Sequence, residues 1–260
     1  MNLGLLDLPA PLFQALDDVF AFLHVPGVLR VVAYATVCAW LGMRLYGRFS
    51  DQPRLTELRG EVVRSQRALA LHDGDFAALR PLIRQNLRLS LRQLGLTLRP
   101  ALLASLPLLF VLPWLSNRFQ FDAPVSGAAV SVCAQPAAAA TSLHWQSAIM
   151  HAAGEPGCWI LNWPDADTQA TLVNANGESL FAFKKDIQSN FVHKFIWLNW
   201  LIGNPNGYLA AAAPLDRLVL ALPAHEMVGI GPAWVRGWEL WFFCALLLVS
   251  LTLKMRWRLQ

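Results

Sequence analysis

Charge is scarce in this sequence. Only 15 % of its 260 residues are charged, against 55 % hydrophobic, and the mean hydropathy is +0.40. That balance excludes an ordinary soluble domain. Catalytic signatures are missing too: there is no GxSxG, phosphate loop or GxGxxG, and the six histidines (24, 72, 144, 151, 193, 225) are scattered. His144, His151 and Glu155 bracket a loop without metal-ligand spacing, and no CxxC accompanies the four cysteines. No enzyme activity, metal or cofactor is expected. The first 25 residues lack a basic n-region and carry Pro9, Pro11, Asp17 and Asp18 where the apolar core of a cleavable signal would lie, so none is expected.

What the sequence does have is three stretches long enough for a bilayer that takes roughly 20 residues to cross. These run from Pro26 to Tyr46, Ala101 to about Arg118 and Trp238 to Met255. Eleven arginines from Arg44, at the end of the first span, to Arg99, ahead of the second, stand against five acids, which places that segment in the cytoplasm. Lys254, Arg256 and Arg258 follow the third span, whereas the region from Arg118 to Arg236 holds six bases against eight acids. The N-terminus and the long middle region are therefore expected outside, in the periplasm of a bacterial inner membrane, and the C-terminus inside.

The expected fold class is a mainly α membrane protein, with three transmembrane helices, a cytoplasmic helical hairpin and an extracytoplasmic β-rich, sandwich-like domain between the second and third spans. The boundaries are an outer interfacial helix over 1–27, spans at 28–46, 100–118 and 237–255, a coiled-coil hairpin over 50–99, the periplasmic domain over 119–235 and a tail over 256–260. In the first segment, Pro11 to Leu23 has apolar residues at helical spacing with Asp17 and Asp18 on the other side. In the hairpin, Leu55, Leu58, Val62 and Leu69, then Phe76, Leu79, Ile83, Leu87, Leu91, Leu94 and Leu98, recur at three, four or seven. His72-Asp73-Gly74-Asp75 supplies the turn. This stripe is expected to be buried between two antiparallel helices, with Arg59, Arg64, Arg67, Arg84, Arg88 and Arg92 outward. The arginines either solvate the hairpin and fix topology or meet acidic lipid head groups, nascent chain or ribosomal RNA; nothing calls for DNA.

In the middle region, Ala128–Cys133, Cys158–Trp163, Thr171–Val173, Leu180–Phe183 and Arg217–Leu222 read as strands, with a hairpin turn at Asn176-Gly177. Ala137–Ala140 and Ala210–Pro214 read as loops. Ile187 to Ile202 reads as an aromatic helix. With Trp197 and Trp200 in it, and with Trp238 and Trp241 near the third span, it suits either the membrane interface, where indoles prefer to sit, or the core of the β-domain. Cys133 and Cys158 share this oxidising side, and a disulfide between them would close a loop of about 25 residues and stabilise by roughly 3 kcal/mol. Cys38 and Cys244 fall within spans as small apolar side chains.

Arg44 stands out at the cytoplasmic end of the run Val28 to Met43. A guanidinium at membrane depth costs ~2.5–3.5 kcal/mol unless it snorkels or faces a wet cavity. The second span holds Pro100, Pro107 and Pro113; Pro107 is expected to kink it, and Ser105 to re-satisfy the carbonyl that Pro107 frees.

The order of these parts, carried by Ala39-Trp-Leu-Gly-Met-Arg-Leu-Tyr-Gly-Arg48, Leu87 to Leu98 and Arg99-Pro-Ala-Leu-Leu-Ala-Ser-Leu-Pro-Leu-Leu-Phe110, resembles the YidC/Oxa/Alb insertase superfamily, in particular its short three-span members. The resemblance covers about residues 28–118. It implies a polar intramembrane groove open to cytoplasm and lipid, lined by Arg44, Ser105 and Pro107, that receives the polar tail of a membrane-protein client. The chain departs from short members in the roughly 120 residues between its second and third spans and in its brief C-terminal tail. The expectation is an insertase-like chaperone or assembly factor whose periplasmic domain binds a client or partner. The rival expectation is a structural adaptor subunit of an envelope complex, and a third is a lipid-handling protein.

Overall fold

The structure is a computed structural model describing residues 3–257 apart from 73, 75, 147–149, 153–154, 164–169, 184–186 and 188, with the side chains of 76–78 and 150–152 also outside the description. The expected turn at Asp73 and Asp75 and the basic tail at Arg258 therefore lie outside the described residues. The α-helices are α1 (Ala10–Phe22), α2 (Gly27–Phe49), α3 (Gln52–Ala70), α4 (Phe76–Phe119), α5 (Ala233–Arg236) and α6 (Trp238–Trp257). Three of them, α2, α4 and α6, are long and apolar enough to cross a membrane by length and composition. The chain divides into two compact units, Leu29–Leu109 with Trp241–Gln260, and Met1–Val28 with Phe110–Leu240.

In the first, helical unit, α2 gives way to α3 at Asp51, whose carboxylate accepts from the Arg54 amide at 3.2 Å while Pro53 occupies the first turn. Helix α4 is unbroken over 44 residues, about 66 Å, so the second arm of the hairpin and the second span form one helix through Pro100, Pro107 and Pro113. The Ser105 hydroxyl donates to the Leu102 carbonyl at 2.8 Å, one residue away from Leu103, whose carbonyl Pro107 deprives of its i+4 donor. Where α2 passes α4, a Cβ on Gly42 would stand 2.9 Å from the Ala104 carbonyl oxygen, so only a glycine admits this approach.

The hairpin differs from expectation. Leu55, Leu58 and Val62 of α3 are buried, but Ile83, Leu87, Leu91, Leu94 and Leu98 of α4 are exposed. The half-buried row on α4 is Leu82, Asn86, Leu89, Gln93 and Leu96. The cause is visible in the sequence: leucines at 87, 89, 91, 94, 96 and 98 nearly alternate, and two residues on a helix are about 200° apart, so leucines line two faces. Only one of those faces is covered.

The second unit holds β1 (Ala129–Gln135), β2 (Leu143–Gln146), β3 (Met150–Ala152), β4 (Cys158–Asn162), β5 (Thr171–Asn174), β6 (Ser179–Ala182), β7 (Phe191–Lys194), β8 (Tyr208–Leu209) and β9 (Arg217–Leu220). They form a six-stranded sheet in the order β3-β4-β1-β9-β7-β8 and a three-stranded sheet β2-β5-β6. One apolar core joins the two sheets: Val130, Val132, Leu161, Val192, Leu218 and Leu220 from the larger, Leu143, Leu172, Leu180 and Phe181 from the smaller, with Trp163 and Phe183 between strands. The alternation along β1, with Val130, Val132 and Ala134 inward, is what a one-sided sheet requires. The β5–β6 turn falls at Asn174–Glu178, with Gly177 at φ 80°, as its Asn-Gly pair predicts.

The described residues of 187–202 form no α-helix. They contribute strand β7 and a single 3₁₀ turn over Trp197–Trp200, closed by Asn199, whose side-chain oxygen accepts from the Ile196 amide at 2.8 Å. The aromatics at 191 and 195 and at 197 and 200 are four and three apart, which suits a helix, but Phe191-Val-His-Lys194 pairs on both sides, antiparallel to β9 and parallel to β8, and buries only Val192. Sheet pairing outweighs local periodicity here. Ala137–Ala140, expected as a loop, belongs to a 3₁₀ helix over Ala137–Ser142.

Candidate functional site

Arg44 sits five residues before the end of α2, on an exposed face. Its guanidinium carbon is 5.3 Å from the Trp40 ring centroid and 6.0 Å from that of Trp257. Trp40 is one turn before Arg44 on the same helix, whereas Trp257 closes α6. The C-terminal ends of α2 and α6 therefore lie together. Indole faces carry negative potential, and a cation over a ring gains ~0.5–1 kcal/mol at an exposed site. Trp40, Met43, Arg44, Gly47, Arg48 and Trp257 line an open cleft of about 660 Å³. The arrangement holds the Arg44 guanidinium between two indoles, with Arg48 also in the lining of the cleft, and its positive charge suits an anionic or polar group.

A second cleft, of about 280 Å³, opens among α2, α4 and α6. It is lined by Cys38, Gly42, Tyr46, Ala104, Ser105, Leu246 and Ser250, so that three hydroxyl groups border an otherwise apolar space. Ser105 therefore lies in this cleft and Arg44 in the other. Met43 borders both, and Pro107 is among the lining residues of neither. The groove expected to unite Arg44, Ser105 and Pro107 is two clefts on either side of one helix, because Arg44 and Gly42 are two positions apart and so face opposite ways.

Of the basic surface, Arg64, Arg67, Arg84, Arg88 and Arg92 are exposed and Arg59 is half-buried. Helix α4 carries six arginines and no Asp or Glu. Sequence reasoning passed over Arg30, a half-buried arginine in the first turn of α2, and gave no role to Trp40 and Trp257. The Trp40–Arg44 spacing of four signals that pair; nothing local signals Trp257.

In the other unit, Cys133 and Cys158 form a disulfide. The two residues are register partners on β1 and β4, on the sheet face turned away from the core. Trp197 and Trp200 are exposed, Trp241 is half-buried, and Trp238, expected at the membrane interface, is buried. Asp17, expected on the polar side of α1, is fully buried and accepts from Arg118 Nε at 2.8 Å. Asp7, also buried, accepts from the amides of Gly4 at 2.9 Å and Gly203 at 2.7 Å, tying the N-terminal turn to the loop after Trp200. On α1, Leu12, Leu16, Val19 and Phe22 remain exposed. His144 lies on β2, and the side chain of His151 lies outside the described residues.

Compared with protein-family models, with curated proteins and with solved structures, the chain matches none, and its functional reading rests on the geometry above.

Proposed function

We propose that the protein is an insertase-like membrane chaperone or assembly factor of a bacterial inner membrane, with its N-terminus and β-domain periplasmic and its C-terminus cytoplasmic. The observation that carries this reading is the Arg44 cleft. An open cleft with Arg44 and Arg48 in its lining, at the end of apolar helices, gives a client's short acidic or polar tail a place to rest while its apolar segment meets lipid. The small-residue approach of α2 to α4 beside it, with three hydroxyls bordering the neighbouring cleft, supports helices packed closely around openings that carry polar groups. Clients, lipid and partner subunits are the proposed contacts, with the basic hairpin facing the cytoplasm. No covalent step is involved.

The exposed Trp197 and Trp200 of the β-domain favour a second reading, an adaptor subunit that recruits an envelope partner through that aromatic turn.

The test of the first reading is client insertion into vesicles. Arg44→Ala is expected to impair insertion and Arg44→Lys largely to retain it, because the charge matters more than the fork. Equal activity of Arg44→Ala and the parent would remove the role.

A further inference from the structure

The leucine row left uncovered on α4 lies in the segment that the proposed reading places in the cytoplasm, and the inference rests on that reading. Ile83, Leu87, Leu91, Leu94 and Leu98 are each 42–58 % exposed and recur at intervals of four, four, three and four, which keeps them on one side of a helix. Arg84, Arg88 and Arg92 each follow an apolar residue of that row by one position, so they form a ridge about 100° round the helix, alongside the seam. All three are exposed, none makes an ion pair among the described residues, and α4 offers no acid of its own. An uncovered apolar seam beside an uncompensated basic ridge has the form of half an interface.

We infer that this face of α4 binds an acidic amphipathic helix of another protein, whose apolar row packs on Leu87, Leu91 and Leu94 and whose carboxylates meet Arg84, Arg88 and Arg92. Charge decides against a second copy, since α4 paired with α4 would set arginine beside arginine. Distance decides against lipid. The seam and the proposed span are one continuous helix, so Leu87, Leu91 and Leu94 stand about 20, 14 and 9 Å beyond Pro100, whereas the head-group layer is only about 5–8 Å deep on each side. RNA would use the arginines and leave the leucines idle.

The experiment uses the full-length protein in neutral-lipid nanodiscs and two labelled synthetic helices with leucine at heptad a and d positions, one with glutamate and one with lysine at e and g. Binding is read by fluorescence anisotropy. The glutamate helix is expected to bind about tenfold or more tighter than the lysine helix, the scale of a few paired charges. Arg84→Glu/Arg88→Glu/Arg92→Glu should reverse that preference, and Leu87→Asn/Leu91→Asn/Leu94→Asn should abolish binding of both. These side chains are exposed, so helicity by circular dichroism should hold. Equal binding of the two helices by the parent protein, no binding of the glutamate helix, or capture of RNA or anionic vesicles in its place would overturn the inference. Because Arg44→Ala should leave peptide binding intact, failure here and failure of the insertase reading are separately visible.

Discussion

Three helical glycines give the packing of the apolar helices a quantitative test. In a helix interior, Gly→Ala gains about 1 kcal/mol from propensity alone. At Gly60 in α3 and Gly95 in α4 a new Cβ meets nothing within 4 Å, so Gly60→Ala and Gly95→Ala should stabilise by about that amount. At Gly42 the new Cβ would stand 2.9 Å from the Ala104 carbonyl oxygen, a backbone atom that can move only if α4 moves. Forcing such an approach costs roughly 1–3 kcal/mol, so Gly42→Ala should be destabilising by about 0–2 kcal/mol once the propensity gain is subtracted. The expected order of thermal midpoints in one detergent is Gly60→Ala and Gly95→Ala above the parent and Gly42→Ala at or below it. Each kcal/mol corresponds to about 2–4 °C for a chain of this size. A midpoint for Gly42→Ala raised as far as that for Gly60→Ala would show that α2 and α4 do not meet there, and the account of the two clefts would go with it.

Reduction of the Cys133–Cys158 bond, or Cys133→Ala/Cys158→Ala, should destabilise the β-unit by roughly 3 kcal/mol, seen as a lower unfolding midpoint; an unchanged midpoint would show that the strand pairing alone suffices. Asp17→Ala removes the buried acceptor of Arg118 and should cost about 1–2 kcal/mol, at the low end because Arg118 is 36 % exposed and can turn to water; denaturant titration reads it, and a neutral result would assign the pair no role. Trp197→Ala and Trp200→Ala should leave stability in detergent unchanged. If the turn instead rests on a membrane, fluorescence of the parent in brominated lipid should be quenched more than that of the double variant, and equal quenching would free the turn for a protein partner.

Five strands, the Asn-Gly turn, the disulfide partners and three long apolar helices were legible because each rests on a signal in the sequence: alternation, turn chemistry, two cysteines within one region between spans, or length. Other features were set by distant partners. Phe191–Lys194 became a strand because β9 and β8 pair with it, and no periodicity within the segment reports that. The leucines of α4 read as a single stripe, yet their near alternation already put them on two faces, and only packing could say which would be covered. Asp17 looked solvated because Arg118, its partner, lies 101 positions away in sequence. Arg44 was legible as a charge out of place, while Trp257, which completes its cleft, comes from the far end of the chain.

On the proposed function, the cleft around Arg44 receives a client. A photo-crosslinking residue at Met43, which borders both clefts, tests it without removing either guanidinium. In inner-membrane vesicles making a short-tailed membrane protein, the account predicts transient crosslinks to that nascent client that vanish once insertion is complete. Crosslinks to one stoichiometric envelope protein alone, present with or without client synthesis, would contradict it and make the protein a fixed subunit of a complex.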